Sequence, residues 1–226
     1  SQDGRKKLFS MKYLANASKS TLISEFKEWL SEYKDWIHSC TDKVVLLDEE
    51  YREAARQNIG KCQKTFDTII RSIDSLEDEV VYKAFKYANE AMYLQRRQVL
   101  IKKQGININD DSIKWYPFQL AFFLQEVISF AHPNGNERKL VDLLWFPTGG
   151  GKTEAYLGIA AFVIFLRRLR SPKYGSGGSI IMRYTLRLLT FQQFERATAM
   201  ICACEKLRVK YRLPGGDISI GLWVGK

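Results

Sequence analysis

The sequence predicts an α/β chain, with an all-helical first part over residues 1–105, a connector over 106–114, and over 115–226 the first part of a phosphate-binding lobe on a parallel sheet. Three observations carry this. Apolar side chains recur every three and four residues through 20–104, the spacing of one helix face. Three apolar runs of strand length, at 140–146, 179–185 and 218–224, alternate with helical stretches, which is the order of a parallel sheet. At the end of the first run stands Pro147-Thr148-Gly149-Gly150-Gly151-Lys152-Thr153, a glycine loop between strand and helix.

In the first part, Leu22, Phe26, Trp29, Tyr33 and Trp36 share one helical face, with Glu25, Lys27, Glu28, Glu32 and Lys34 between them. A second helix is expected over 44–61. A third, long or broken, is expected over 64–104 through Phe66, Ile69, Ile73, Leu76, Val80, Ala84, Ala88 and Ala91. Gly105 followed by Asn107, Asn109, Asp110 and Asp111 stops it and makes the polar connector. Val44-Val45-Leu46-Leu47-Asp48-Glu49-Glu50 has the look of the acid-tipped strand that holds Mg²⁺ in many ATPases. It stands far ahead of the glycine loop, however, whereas that strand usually follows it. It also runs on into Tyr51-Arg52-Glu53-Ala54-Ala55-Arg56, so a helix is expected there.

In the second part Pro117 suits the first turn of a helix opened by Trp115-Tyr116. The glycine loop starts another, running to about Arg170. A Gly/Ser loop over 171–178 leads to the second apolar run. A helix over 188–210 follows, and Pro214-Gly215-Gly216 turns into the third run.

Composition narrows the function. With 226 residues and 46% apolar side chains the chain can bury a core. The stretch 155–166 is apolar all round but too short to cross a bilayer, so it reads as a buried helix and no membrane partner is expected. No apolar segment follows the polar residues 1–7, so no secretory leader is expected. Cys40, Cys62, Cys202 and Cys204 show no C-x-x-C spacing and read as reduced thiols of a cytoplasmic protein, not a zinc site. Of the net charge of +10, +8 falls in residues 140–226, where 13 Lys and Arg stand against 5 Asp and Glu. This field suits a polyanion, with steep salt dependence. It equally suits a solvated surface or an acidic partner.

The glycine loop carries the chemistry. Glycines reach dihedrals closed to residues with a Cβ, so peptide N–H groups can turn inward around an anion. Lys152 adds a point charge for the β- and γ-phosphates, and Thr153 offers a hydroxyl to Mg²⁺. The following helix aims its positive end at the same place. Pro147 to Glu154 are therefore the expected ATP and Mg²⁺ segment, with Lys152 and Thr153 as the catalytic candidates. The strict pattern has Gly where this chain has Phe146, a position that touches no phosphate through its side chain.

Further motifs resemble superfamily 2 helicases. Pro117-Phe118-Gln119, 33 residues ahead of Lys152, is similar to their Arg-Pro-Tyr-Gln segment, which implies that Gln119 reads adenine through its paired donor and acceptor. Arg187-x-Leu189-x-x-Gln192 resembles motif Ia, with Thr185 and Leu186 in place of the usual Pro-Thr. Gly225 resembles the glycine that admits a nucleic-acid backbone. The resemblance thus implies strand contacts at Thr185, Arg187, Gln192 and Gly225. Over residues 84–226, AFKYANEAM, WYPFQLAF, VDLLWFPTGGGKTEAYLGIAAF, MRYTLRLLTFQQFERA and ISIGLWVG resemble the helicase subunits of DISARM anti-phage defence systems. That resemblance implies a RecA-like ATPase lobe, DNA as a single strand or a duplex with an overhang, and a partner subunit of the defence complex.

A motor of this kind needs an acid pair on a later strand and a second lobe. The acids after Lys152 are Glu154, Glu195, Glu205 and Asp217, and none ends an apolar run. The chain is thus expected to be the N-terminal part of a longer protein and to hydrolyse little ATP alone. A nucleotide-gated switch without translocation, or an RNA motor, fits the same residues.

Overall fold

Small polar residues set the helix starts. The computed structural model describes residues 7–105, 108–147, 149–184 and 187–223, the side chains of 103, 104, 111 and 187–190 excepted. The Ser10 hydroxyl accepts from the Tyr13 N–H and starts α1 (Met11–Asn16). The Ser18 hydroxyl accepts from Thr21 N–H and starts α2 (Lys19–Lys43). Each satisfies one of the donors that a helix start leaves without an intrahelical acceptor. A 3₁₀ turn at Val44–Leu46 leads to α3 (Glu49–Asp74). After a second 3₁₀ turn, Asp78 accepts from Val80 and Val81 N–H and starts α4 (Glu79–Gln104). Then come α5 (Pro117–Ala131), α6 (Lys152–Arg170) and α7 (Arg187–Lys210).

Two expectations about the first part shift. The Val44–Leu46 segment is a turn with Val44 buried and Val45 and Leu46 exposed, and the helix starts five residues later than expected, at Glu49. Past it, α3 runs unbroken through Gly60, and the interruption falls instead at Ser75–Glu77. Gly60 is exposed, with open space where a Cβ would be. Its helix penalty of about 1 kcal/mol is too small to end a helix held by packing. The short α1 has too few turns to show a period, though Met11, Leu14 and Ala15 are all buried.

The interior is built on α4, which packs against α1, α6 and α7. Phe26, Phe85, Phe123 and Phe162 meet in sequence at centroid separations of 5.9, 5.2 and 6.0 Å. Trp115 sits among them and donates from Nε1 to Asn89 Oδ1 at 2.8 Å, while Asn89 Nδ2 donates to the Phe85 carbonyl at 2.9 Å. Both side chains are thereby buried with their polar atoms paired. Gly158 lets α6 approach: a Cβ there would lie 2.7 Å from Trp115 Cη2. One apolar cluster runs from Leu8 to Ile218, on both sides of the connector.

The parallel-sheet expectation is corrected. Among the described residues there is no strand, only an isolated bridge between Ser10 and Lys114, so this part of the chain is all-α and holds no RecA-like sheet. Residues 140–146, 179–184 and 218–223 lie in neither helix nor strand. A strand persists only when its N–H and C=O groups pair with a neighbour, and these runs form no ladder with one another. Several of their apolar side chains face solvent, with Val141 at 97% exposure, Ile181 at 97% and Trp223 at 94%, while Ile218 is buried and Met182 and Ile220 pack partly against the core. Apolar content tells what can be buried, not against what. No helix among the described residues is long and apolar enough to cross a membrane.

Candidate nucleotide site

The glycine loop enters α6 through Gly151, whose backbone at φ 87° and ψ 21° is left-handed and whose position carries no capping side chain. Gly149 is also left-handed, at φ 83°. A Cβ on Gly151 would stand 2.8 Å from Gln119 Nε2, and one on Gly150 would stand 2.9 Å from the Phe146 ring. The last two glycines of the loop are therefore needed for space, and the first and third for their backbone angles. Thr148 lies outside the described residues.

Neighbouring side chains hold the loop. Phe146 stacks on Phe118 of α5 with centroids 3.9 Å apart. Gln119 Nε2 donates to the Gly151 carbonyl at 2.7 Å, while its Oε1 accepts from the Tyr116 N–H at 2.8 Å. One buried amide thus closes the start of α5 and ties it to the start of α6. The Gly150 N–H donates to the Pro147 carbonyl at 3.1 Å. Lys152 Nζ donates to the carbonyls of Phe146 and Pro147, so its ammonium is held within the arc of the loop. A phosphate entering the arc would exchange these neutral acceptors for charged ones, which hold an ammonium more strongly.

Thr153 is buried, and its Oγ1 lies 3.3 Å from the Tyr156 hydroxyl. Tyr184 adjoins Tyr156, and burial first, then Tyr156, pushes its hydroxyl up to about 12. Glu154 pairs with Arg196 of α7. Glu205 accepts from Arg208 and from the Ile218 N–H, and Asp217 pairs with Arg208. Among the described residues no cluster of three or more His, Cys, Asp or Glu could hold a metal, and Thr153 is the hydroxyl nearest the loop lysine in sequence. The four thiols are unpaired with one another; Cys204 is buried and Cys202 exposed, on different faces of α7.

The expected nucleic-acid residues are placed less completely. Thr185 and Gly225 lie outside the described residues, as does the side chain of Arg187, whose backbone opens α7. Gln192 is exposed in the second turn of α7. Much of the basic excess is engaged internally. Buried Arg168 donates to the carbonyls of Pro214 and Gly216, and Arg170 donates to those of Phe130 and Ala131 at the end of α5. Arg183, Lys206 and Arg212 are exposed.

Sequence reasoning missed Arg196, Tyr156 and Tyr184. Arg196 is one helical turn past Gln192, but nothing in the text names Glu154 as its partner. The second role of Gln119 was legible, because Gln three residues into a helix start occupies the capping-box position.

A cavity of about 1220 Å³ lies between α6, α7 and residues 177–184 and 217–223, and no residue of the glycine loop lines it. No family model matches the chain. The chain is 39% identical over 240 aligned positions to DISARM protein DrmA of Bacillus paralicheniformis, an alignment that takes in 96% of this chain and 20% of that protein. It therefore spans about a fifth of the length of the curated relative it matches. On this similarity the chain is related to DISARM protein DrmA.

Proposed function

We propose that this chain forms the nucleotide-binding part of an ATP-dependent DNA helicase or translocase of a cytoplasmic DISARM anti-phage defence system, acting with a partner subunit of that complex. The observation that carries the reading is the start of α6. A left-handed glycine with no capping side chain leaves backbone N–H groups for a ligand, and Lys152 and Thr153 follow at once. The relationship to DISARM protein DrmA supports the defence setting.

In this reading the amides of residues 151–153 and the Lys152 ammonium would hold the β- and γ-phosphates, and the Thr153 hydroxyl, which lies 3.3 Å from that of Tyr156, would hold Mg²⁺, an ion that would neutralise charge on the phosphates. Gln119 keeps the loop in register from α5. DNA, as a single strand or a duplex with an overhang, runs past the start of α7, where Gln192 is exposed and Arg183 stands close in sequence. Catalysis of this kind is positional and electrostatic: the site stabilises charge on the transferring phosphoryl group.

One observation favours a second reading, a nucleotide-gated switch without translocation. Glu154, Glu205 and Asp217, three of the acids after Lys152, are engaged in ion pairs with arginines. The experiment is ATP hydrolysis by the complete polypeptide, with and without single-stranded DNA, beside Lys152→Ala. A motor hydrolyses ATP, accelerates with DNA, and loses at least a hundredfold in the variant, the scale of removing one preorganised charge contact. ATP binding without turnover supports the switch. Undiminished turnover in Lys152→Ala contradicts both readings.

A further inference from the structure

The first turn of α6 contains an apparent conflict. Glu154 is its third residue, and its carboxylate is largely buried beside the glycine loop, with 12% of the side chain exposed. A carboxylate in the first turn favours the helix, because it meets the positive end of the dipole. The same end is where a phosphate would sit. Two anions within one turn repel, and partial burial weakens the screening between them.

The conflict is relieved from another element. Arg196, in the third turn of α7, places its guanidinium on Glu154, and its charge also bears on Tyr184, the neighbour of Tyr156. Tyr156 in turn faces Thr153. Arg196 and Gln192 stand four apart on α7, hence on one face of that helix. A displacement of α7 therefore moves the guanidinium relative to the carboxylate beside the loop.

We propose that the Glu154–Arg196 ion pair is a charge-compensating clasp through which nucleotide in the glycine loop and nucleic acid on α7 each alter the affinity for the other. This rests on the nucleotide-site and nucleic-acid readings above. Arg196 acts through Glu154 and touches no phosphate, so it is a positioning residue. Closed, the clasp cancels the carboxylate and admits the triphosphate. Opened by movement of α7, it returns a negative charge to the helix start and weakens nucleotide binding. Coupling of this kind is reciprocal, so nucleotide must bias α7 to the same extent.

The test is equilibrium titration of the complete polypeptide with a fluorescent ATP analogue, with and without a single-stranded oligonucleotide. The wild type should bind the analogue with an affinity that changes when the oligonucleotide is present. Arg196→Ala should weaken binding by about fivefold, the order expected for one uncovered charge at this range, and should lose the oligonucleotide effect. Adding Glu154→Gln to Arg196→Ala should restore affinity but not coupling, and Arg196→Lys should recover part of both. Should Arg196→Ala fail to fold, Glu154→Gln alone decides: it should bind at least as tightly as wild type and lose the coupling. Equal loss in Arg196→Ala and the double variant would show that Arg196 meets the phosphate or merely props the helices, and would overturn the clasp. Wild-type coupling that survives in Glu154→Gln would overturn it too, while leaving the nucleotide site standing. Absence of analogue binding by the wild type would remove the nucleotide site itself and the clasp with it.

Discussion

The starts of α5 and α6 lie side by side, joined by the Gln119 to Gly151 hydrogen bond, and they are built in opposite ways. At α5, Pro117 has no N–H to satisfy and the Gln119 side chain accepts from the Tyr116 N–H. That start is closed by its own residues. At α6, Gly151 supplies no side chain and takes a left-handed conformation, so the first amides have no capping partner. A helix start closed by its own side chains is structure; one kept open by glycine, with a lysine following, is equipped for an anion.

Breaking the frame that keeps the two starts together should have the largest effect. Trp115→Ala removes the ring over which Gly158 of α6 packs and leaves the buried Asn89 Oδ1 without its donor. A loss of about 3–5 kcal/mol is expected in denaturant unfolding. A loss under 1 kcal/mol would mean that the helices are held elsewhere. Next comes Gly151→Ala, which forces a Cβ into left-handed backbone and against Gln119 Nε2. It should cost about 2 kcal/mol and weaken nucleotide binding, whereas Gln119→Ala at the closed start should cost about 1 kcal/mol.

A smaller effect is expected where α5 meets the run leading to the loop. Burial first, and the Asp142 carboxylate second, push Glu126 from 4.5 up to about 7, and its Oε1 is buried without a hydrogen-bond partner. The folded state then holds a proton that the unfolded state releases, so stability falls as pH rises from about 4.5 to about 7 and stays low above. A shift of that size corresponds to about 3 kcal/mol, and solvent reaching the partly exposed Glu126 and the exposed Asp142 lowers the expected change to roughly 1 kcal/mol. Glu126→Gln should flatten that part of the pH profile. A variant with the wild-type slope would assign the dependence to other groups.

The contrast also shows what the text of the chain discloses. The bounds of α6 were legible because local chemistry sets them: glycines before it, and arginines and Ser171-Pro172 after it. That Lys152 and Thr153 open a helix was legible for the same reason. What the loop leans on was not, because Phe118 and Gln119 come from α5, and the partner of Glu154, Arg196, comes from α7; only the packing of α5, α6 and α7 brings them together. The sheet was misread for a related reason. Val141, Leu143, Trp145 and Ile181 have strand-like composition, yet pairing depends on a neighbour, and here these side chains stand in solvent. Buried Leu120, Phe123 and Phe162 belong to the same class of residue and differ only in having partners.

The most direct measurement is calorimetric titration of the complete polypeptide with ATP and Mg²⁺, comparing wild type with Lys152→Ala at matched folded fraction. The account predicts one site in the wild type and an affinity at least tenfold weaker in the variant, the loss of a charge-assisted contact. Equal affinity in the two proteins, or no binding by either, would contradict a triphosphate site at the open start of α6.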